Sequence, residues 1–143
     1  MKKNFVLTDE FKINLFGVKV FRIKCTRKIK YAEIGDLGGF IEKESNISGN
    51  AWVSGDAQVS GNAWVYSNAL VSSSNDYCCF HSFGSINRTT TVFKTTTEIK
   101  ISCGCFLGTI SEFEFKVKQT HANTKFEREY MAIIEVIKIK FEL

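Results

Sequence analysis

An aliphatic side chain recurs at every sixth position through the middle of the chain. The six positions are Ile41, Ile47, Val53, Val59, Val65 and Val71. Gly, Ser or Ala stands two places before each, and side chains two apart in an extended segment point to the same face. Each pair is therefore expected to enter the interior together, with the residue between them facing outward. Gly-Asn and Gly-Asp steps separate several of the pairs, and glycine reaches positive φ without steric cost. The pattern predicts short strands joined by tight corners.

This unit resembles the hexapeptide repeat of left-handed parallel β-helix proteins. Residues 53–58 and 59–64 match the family pattern, which is aliphatic, small or acidic, two variable positions, small and variable. In that family three hexapeptides form one triangular coil, so the resemblance implies about two coils, with residues eighteen apart stacked in parallel. Two coils are few, because a solenoid normally needs at least about three repeats to be stable. The flanking segments are expected to cover the ends.

The N-terminal segment predicts a β-ribbon. Within residues 4–34, apolar and polar side chains alternate on both sides of Gly17, as at Phe11, Ile13 and Leu15. Alternation of this kind is typical of a strand with one buried face, and glycine is typical of the turn between two strands.

The C-terminal segment predicts two helices. Thr109 and Glu112 fit a capping box, in which each side chain satisfies a free backbone N–H at a helix start. A second helix is expected over residues 124–141, with apolar side chains on more than one face, as in a helix that also packs on another chain. We therefore expect a homodimer. The predicted dimerisation residues are Phe126, Tyr130, Ile133, Ile137 and Phe141.

The expected fold is mainly β with C-terminal α. It is a short left-handed parallel β-helix of about two or more coils, with an N-terminal β-ribbon and a C-terminal helical pair. A chain of 143 residues with 44% hydrophobic content is long enough for one domain-sized core. We divide this single domain, residues 1–143, into a ribbon cap at 1–34, the repeat at 35–76, further strands at 77–108 and a two-helix region at 109–143.

Positive charge is concentrated at the N-terminal end. Residues 1–34 carry nine Lys or Arg against three acids, whereas residues 35–76 carry one against five. A basic cluster is typical of a phosphate-binding surface, but lysines also protect edge strands from unwanted pairing. Both interpretations stay open. The candidate nucleic-acid contacts are Arg22, Lys24, Arg27, Lys28 and Lys30.

Two tryptophans stand between the inward-facing pairs. If they face outward, Trp52 and Trp64 are exposed aromatics of the type that anchors protein interfaces. Shielding by the N-terminal ribbon is the alternative. The predicted protein-binding residues are Trp52, Trp64, Gln58 and Tyr66.

Catalytic chemistry has weak support in the sequence. Hexapeptide-repeat enzymes are mostly acyltransferases, and the resemblance would imply a catalytic His on a loop extruded from the coils. The repeat here contains no His. His81 and His121 lie outside it, each with no obvious acid or nucleophile beside it, although His81 would serve as base in an acyltransferase-like alternative. We predict no catalytic residue.

The cysteines also give weak support for a metal. The pairs Cys78–Cys79 and Cys103–Cys105 lack the roughly two to four intervening residues usual in structural zinc sites, so we predict no metal and no cofactor. Five cysteines is an odd number, and no apolar export segment opens the chain. Reduced thiols and a cytoplasmic protein without membrane association are expected.

The order of segments is also similar to that of small uncharacterised bacteriophage and prophage proteins. It consists of a β-ribbon, a Gly-Asp-Leu-Gly-Gly-Phe-Ile-Glu segment at residues 35–42, a short repeat, a Cys-Gly-Cys-Phe turn at 103–106 and C-terminal helices. That resemblance implies a non-enzymatic protein of the bacterial host cytoplasm that binds a host protein or nucleoprotein complex. An inhibitor of a defence system such as CRISPR interference is the concrete form we predict. The alternatives are an acyltransferase-like enzyme and a structural or nucleic-acid-contacting phage accessory protein.

Overall fold

The computed structural model describes residues 3–143, which form ten β-strands and two α-helices. The strands are β1 Phe5–Ile13, β2 Lys19–Cys25, β3 Leu37–Ile41, β4 Trp52–Val53, β5 Gln58–Val59, β6 Leu70–Val71, β7 Tyr77–Phe83, β8 Arg88–Lys94, β9 Ile99–Cys103 and β10 Phe106–Gly108. The helices are α1 Ile110–His121 and α2 Lys125–Lys140. The prediction of a mainly β chain with two C-terminal helices is confirmed.

The N-terminal hairpin belongs to a mixed sheet. β1 pairs antiparallel with β2, β2 pairs antiparallel with β3, and β3 pairs in parallel with β5. One face of the hairpin is apolar along its length, since Phe5 and Phe11 of β1 stand opposite Cys25 and Phe21 of β2. The pair of Phe5 and Cys25 is buried in the first hydrophobic core, whereas Phe11 is exposed. The apolar face therefore continues outward beyond the core.

The six-residue period marks the first hydrophobic core. All six aliphatic residues of the period are 0% exposed. Residues eighteen apart pair in parallel at three places, which are Ile41 with Val59, Val53 with Val71, and a single bridge between Ile47 and Val65. Alanines at the small positions bring the chain segments close enough for this contact, and they are buried as well.

The prediction of a left-handed parallel β-helix is wrong. The parallel ladders are two residues long or shorter, and antiparallel pairing with β2 draws β3 into the mixed sheet. After β6 the chain leaves the six-residue period through a 3₁₀ turn at Ser74–Asp76 and continues as longer antiparallel strands. The hexapeptide spacing therefore builds a buried cluster of small and aliphatic side chains within residues 3–143, and no solenoid.

A second sheet separates two hydrophobic cores. Its four antiparallel strands lie in the order β10-β9-β8-β7. Phe93 of β8 packs into the first core, whereas Val92 and Ile101 pack into a second core with the helices. Because side chains alternate along a strand, the sheet buries both of its faces.

The helices cover the far face of the second sheet. α1 begins with the predicted capping box, in which Thr109 Oγ1 accepts the Glu112 N–H at 3.2 Å and the Glu112 carboxylate accepts the Thr109 N–H at 2.9 Å. α2 packs on α1 and on the sheet. Neither helix combines the length and the apolar composition that crossing a membrane requires, in the part of the chain that the structure describes.

Candidate protein-binding surface

The turn between β1 and β2 presents two large apolar side chains to solvent. Leu15 is 99% exposed and Phe16 is 89% exposed. Hydrogen bonds fix this turn, because the Asn14 carboxamide oxygen accepts the N–H groups of Phe16 at 2.9 Å and Val18 at 3.0 Å. The Gly17 N–H donates to the Asn14 carbonyl at 3.0 Å, and its φ of +79° suits glycine. Leu15 and Phe16 are the central residues of the turn and are held in solvent.

The four side chains that we call the apolar tip are Phe11, Ile13, Leu15 and Phe16. All four are exposed. Phe11 and Ile13 extend the apolar face of the hairpin beyond the first core and lead into the turn. Single exposed apolar residues are common on protein surfaces, whereas a group concentrated at one end of a hairpin is typical of an interaction surface.

Lysines flank the apolar tip on both strands. Lys19 Nζ lies 4.3 Å from the centre of the Phe11 ring, a cation–π contact. Lys12 pairs with Asp56 at 3.3 Å, and its Nζ lies 4.5 Å from the centre of the Phe40 ring. A complementary partner would therefore offer an apolar pocket with an acidic rim.

A groove of about 490 Å³ separates the apolar tip from β7, an edge strand of the second sheet. Leu15 and Phe16 line it together with Tyr77 and His81 of β7, and Gln58 lines it as well. The Tyr77 hydroxyl donates to the Gln58 carbonyl, which ties β7 to β5. Burial raises the pKa of Tyr77, so the hydroxyl remains a neutral donor.

The apolar tip is missed by reasoning from the sequence alone. The alternation of Phe11, Ile13 and Leu15 assigns Leu15 to a strand, but β1 ends at Ile13. The signal for a turn was present, since Asn14 and Gly17 are favoured turn residues and stand on either side of the pair. Giving turn chemistry precedence over alternation would have placed Leu15 at an exposed position.

The four predicted protein-binding residues lie in different environments. Trp52 was expected to face outward but is 3% exposed, because its indole packs on the bare backbone of Gly38, where a Cβ would lie 2.8 Å away. The expected exposure is wrong for Trp52. Trp64 is 41% exposed and stacks on Tyr66, with ring centroids 4.0 Å apart. Of the four, Gln58 alone lines the groove beside the apolar tip.

Two of the five candidate nucleic-acid residues form ion pairs within the chain. Arg22 Nε donates to Glu10 at 2.7 Å, and the guanidinium carbon lies 4.4 Å from the centre of the Phe40 ring. Lys28 pairs with Glu33 at 3.3 Å. The remaining side chains, which are exposed and form no ion pair within residues 3–143, are those of Lys24, Arg27 and Lys30. Nucleic-acid contact stays a prediction.

The predicted dimerisation stripe of α2 is largely occupied by the chain's own core. Tyr130, Ile133 and Ile137 are buried in the second core, and Phe126 and Phe141 are half-buried. The stripe is apolar, but it packs against the second sheet and α1. The large apolar side chains of α2 that are exposed are those of Val136 and Ile139, and Ala132 is exposed on the same helix.

The chemistry around His81 does not favour the acyltransferase-like alternative. Its Nδ1 lies 3.1 Å from Thr89 Oγ1. Cys79 lines the same groove, but burial raises the pKa of its thiol to about 11, which is the wrong direction for a nucleophile. Within residues 3–143 no group of three or more His, Cys, Asp or Glu side chains is arranged to hold a metal ion.

Comparison of the chain with protein-family models, with curated proteins and with solved structures found no match. The mixed and antiparallel sheets overturn the fold that the resemblance to hexapeptide-repeat proteins implied, and no match supports the resemblance to small phage proteins.

Proposed function

We propose that this chain is a non-enzymatic protein that binds another protein through the apolar tip and the adjoining groove, in the cytoplasm of a bacterial cell. The observation that carries the proposal is the turn in which Asn14 and Gly17 hold Leu15 and Phe16 in solvent. A preformed turn loses little conformational freedom when a partner binds it, which lowers the entropic cost of association.

Docking of the apolar tip would bury both central side chains of the turn. Complete burial of a Leu or Phe side chain contributes about 1.5–3 kcal/mol, and a few such anchors dominate most protein interfaces. Lys19, which forms no ion pair within residues 3–143, would face an acidic group at the partner's pocket and speed the encounter. The expected partner is a host protein or nucleoprotein complex with an apolar, acid-rimmed pocket.

Affinity capture from a bacterial lysate, with and without nuclease, tests this proposal. The bait is the whole chain, and the comparison bait carries Leu15→Ser and Phe16→Ser together. We expect a nuclease-resistant partner that the unmodified chain retains. The double variant should bind the purified partner at least about a hundredfold more weakly.

Phe115→Ser is the matched control for the capture experiment. Phe115 is also a large exposed side chain, but it lies on α1 and does not line the groove. It should leave capture unchanged. Equal capture by all three baits would contradict the proposal, and loss of all partners on nuclease treatment would favour the basic N-terminal segment and nucleic acid instead.

The narrower prediction is that the partner belongs to a bacterial defence system such as CRISPR interference. It came from the resemblance to phage proteins, and it stays a prediction. Phage plaque assays on defended and undefended hosts test it. Expression of the chain should restore plaques on the defended host, and the Leu15→Ser, Phe16→Ser variant should not. Equal plaquing across a panel of defence systems would remove this role.

A further inference from the structure

A second cleft lies between the antiparallel sheet and α1, and it shares no lining residue with the groove beside the apolar tip. Its volume is about 370 Å³. Phe106, Phe113 and Val117 give it apolar walls, and Ile86 is exposed at the turn that borders it. Tyr130 also lines the cleft. Walls of this kind would cover a flat apolar ligand.

The Lys and Arg side chains that line this cleft are those of Arg88 and Lys116. His121 lines it as well, and no Asp or Glu is among the lining residues. Arg88 and Lys116 form no ion pair within residues 3–143. The Arg88 guanidinium lies directly over Gly104, at a place that any side chain there would fill. The glycine therefore makes room for an arginine whose charge has no carboxylate partner in the described chain.

A carboxylate lies nearby but forms no ion pair with Arg88 within residues 3–143. It belongs to Glu129, which accepts the N–H of Gly84 at 2.9 Å and holds the turn before β8. The Tyr130 hydroxyl lies 3.7 Å from Cys103 Sγ, a weak contact. Burial and the Cys103 thiol raise the pKa of Tyr130, so its hydroxyl stays protonated as a hydrogen-bond donor.

We propose that this cleft binds a small organic anion with an aromatic body. A carboxylate or phosphate head group meets the planar Arg88 guanidinium, which matches such oxyanions with two parallel hydrogen bonds, and Lys116 adds charge. The ring lies against Phe106, Phe113 and Ile86. The cleft is near the lower end of the size range for ligand sites, which fits a molecule of one or two rings.

Calorimetric titration of the whole chain tests the proposal with four probes. The probes 1-naphthoate and 1-naphthyl phosphate carry both required features, whereas 1-naphthalenemethanol lacks the charge and acetate lacks the ring. We expect both naphthyl anions to bind at least about tenfold more tightly than the other two probes. The tighter of the two anions identifies the preferred head group.

Arg88→Gln should weaken binding of the naphthyl anions about tenfold or more, because a charge-assisted hydrogen bond is lost. Lys118→Gln is the matched control on α1, since Lys118 pairs with Glu114 at 3.2 Å and does not line the cleft. Lys116→Gln serves as a second cleft variant should Arg88→Gln lower the melting temperature. Backbone amide shifts on titration should concentrate at Cys103, Phe106 and Tyr130.

Four outcomes would overturn the proposal. They are no binding at millimolar probe, equal binding of the neutral alcohol, affinity unchanged in the cleft variants, and amide shifts concentrated outside the cleft. Because the apolar tip lines a different groove, the Leu15→Ser, Phe16→Ser variant should bind the naphthyl anions normally. The two proposals therefore fail independently.

Discussion

Asn46 shows how one polar side chain joins the segments of the first core. It is fully buried, and its Nδ2 donates to the carbonyls of Gly61 at 3.1 Å and Ala63 at 2.9 Å, while Oδ1 accepts the Lys43 N–H at 2.9 Å. A buried polar group left without a partner costs about 1–3 kcal/mol. We expect Asn46→Ala to lower the free energy of unfolding by about 3 kcal/mol, measured by urea denaturation.

Asn62→Ala is the control for this prediction. The Asn62 side chain is exposed, and its Oδ1 meets Lys43 Nζ at a long 3.4 Å. Its replacement should change the free energy of unfolding by less than about 0.5 kcal/mol. Similar losses in the two variants would mean that the Asn46 hydrogen bonds contribute little.

The raised pKa of the buried Cys79 thiol leads us to expect that stability depends on pH. Burial raises its pKa from 9.0 to about 11 in the folded chain. The folded state therefore keeps a proton that the unfolded state releases, so this contribution is full below about pH 9 and is lost as pH rises toward about 11. We expect the free energy of unfolding to fall less steeply over this range in Cys79→Ala than in the unmodified chain.

Comparison with a second cysteine isolates the effect of burial. Cys105 is exposed, and Cys105→Ala is the matched control for the loss of one thiol. Urea denaturation at intervals between about pH 8 and pH 11 measures both variants. A slope that Cys79→Ala does not reduce would contradict the prediction.

At the scale of elements, β3 depends on the absence of a side chain. A Cβ at Gly38 would lie 2.5 Å from the Val53 carbonyl oxygen, 2.6 Å from Ile23 Cγ1 and 2.8 Å from the Trp52 ring. Forcing extra volume into a packed core costs about 1–3 kcal/mol, and here a backbone atom must also move. We expect Gly38→Ala to lower the free energy of unfolding by at least about 2 kcal/mol.

Leu37→Ala provides the comparison for Gly38→Ala. Leu37 begins the same strand but is exposed, so truncating it should cost less than about 0.5–1 kcal/mol. Chemical denaturation of both variants decides the matter. Equal stabilities would show that β3 shifts to accommodate the methyl group.

Patterns among neighbouring residues predicted the strands and helices better than they predicted how the strands pair into sheets. The hairpin and α1 follow from alternation and from the Thr109 capping box, because each depends on neighbouring residues. The six-residue period also identified six core residues correctly. The period does not indicate that β3 pairs with β2, or that the chain after Val71 forms an antiparallel sheet. Both pairings depend on which distant segments of the chain pair with each other.

The candidate sites were less predictable for the same reason. Trp52 is buried because Gly38 lies against it, a contact between residues that alternation treats separately. The second cleft depends on Arg88 lying over Gly104 and on α1 covering the sheet. No pattern of residue spacing in the sequence predicts either of these contacts. Leu15 and Phe16 were accessible to prediction, but only through the turn preferences of Asn14 and Gly17.

At the scale of the whole molecule, the surface of α2 bears on the predicted homodimer. Most side chains of the predicted interface stripe are buried in the second core, whereas Val136 and Ile139 are exposed on the same helix. If two copies associate through α2, we expect these two residues to form the centre of the contact, because they are the large apolar side chains of the helix that are exposed. The predicted dimer contact is therefore on the exposed face of α2, at Val136 and Ile139.

Sedimentation velocity across a dilution series tests the homodimer. We expect a dimer at concentrations on the order of tens of micromolar, dissociating on dilution as mass action requires. Val136→Ser combined with Ile139→Ser should shift the equilibrium to monomer, because the apolar area available for burial is removed. Phe115→Ser on α1 should not. A single monomeric species for the unmodified chain, or a dimer that survives both α2 substitutions, would exclude this interface.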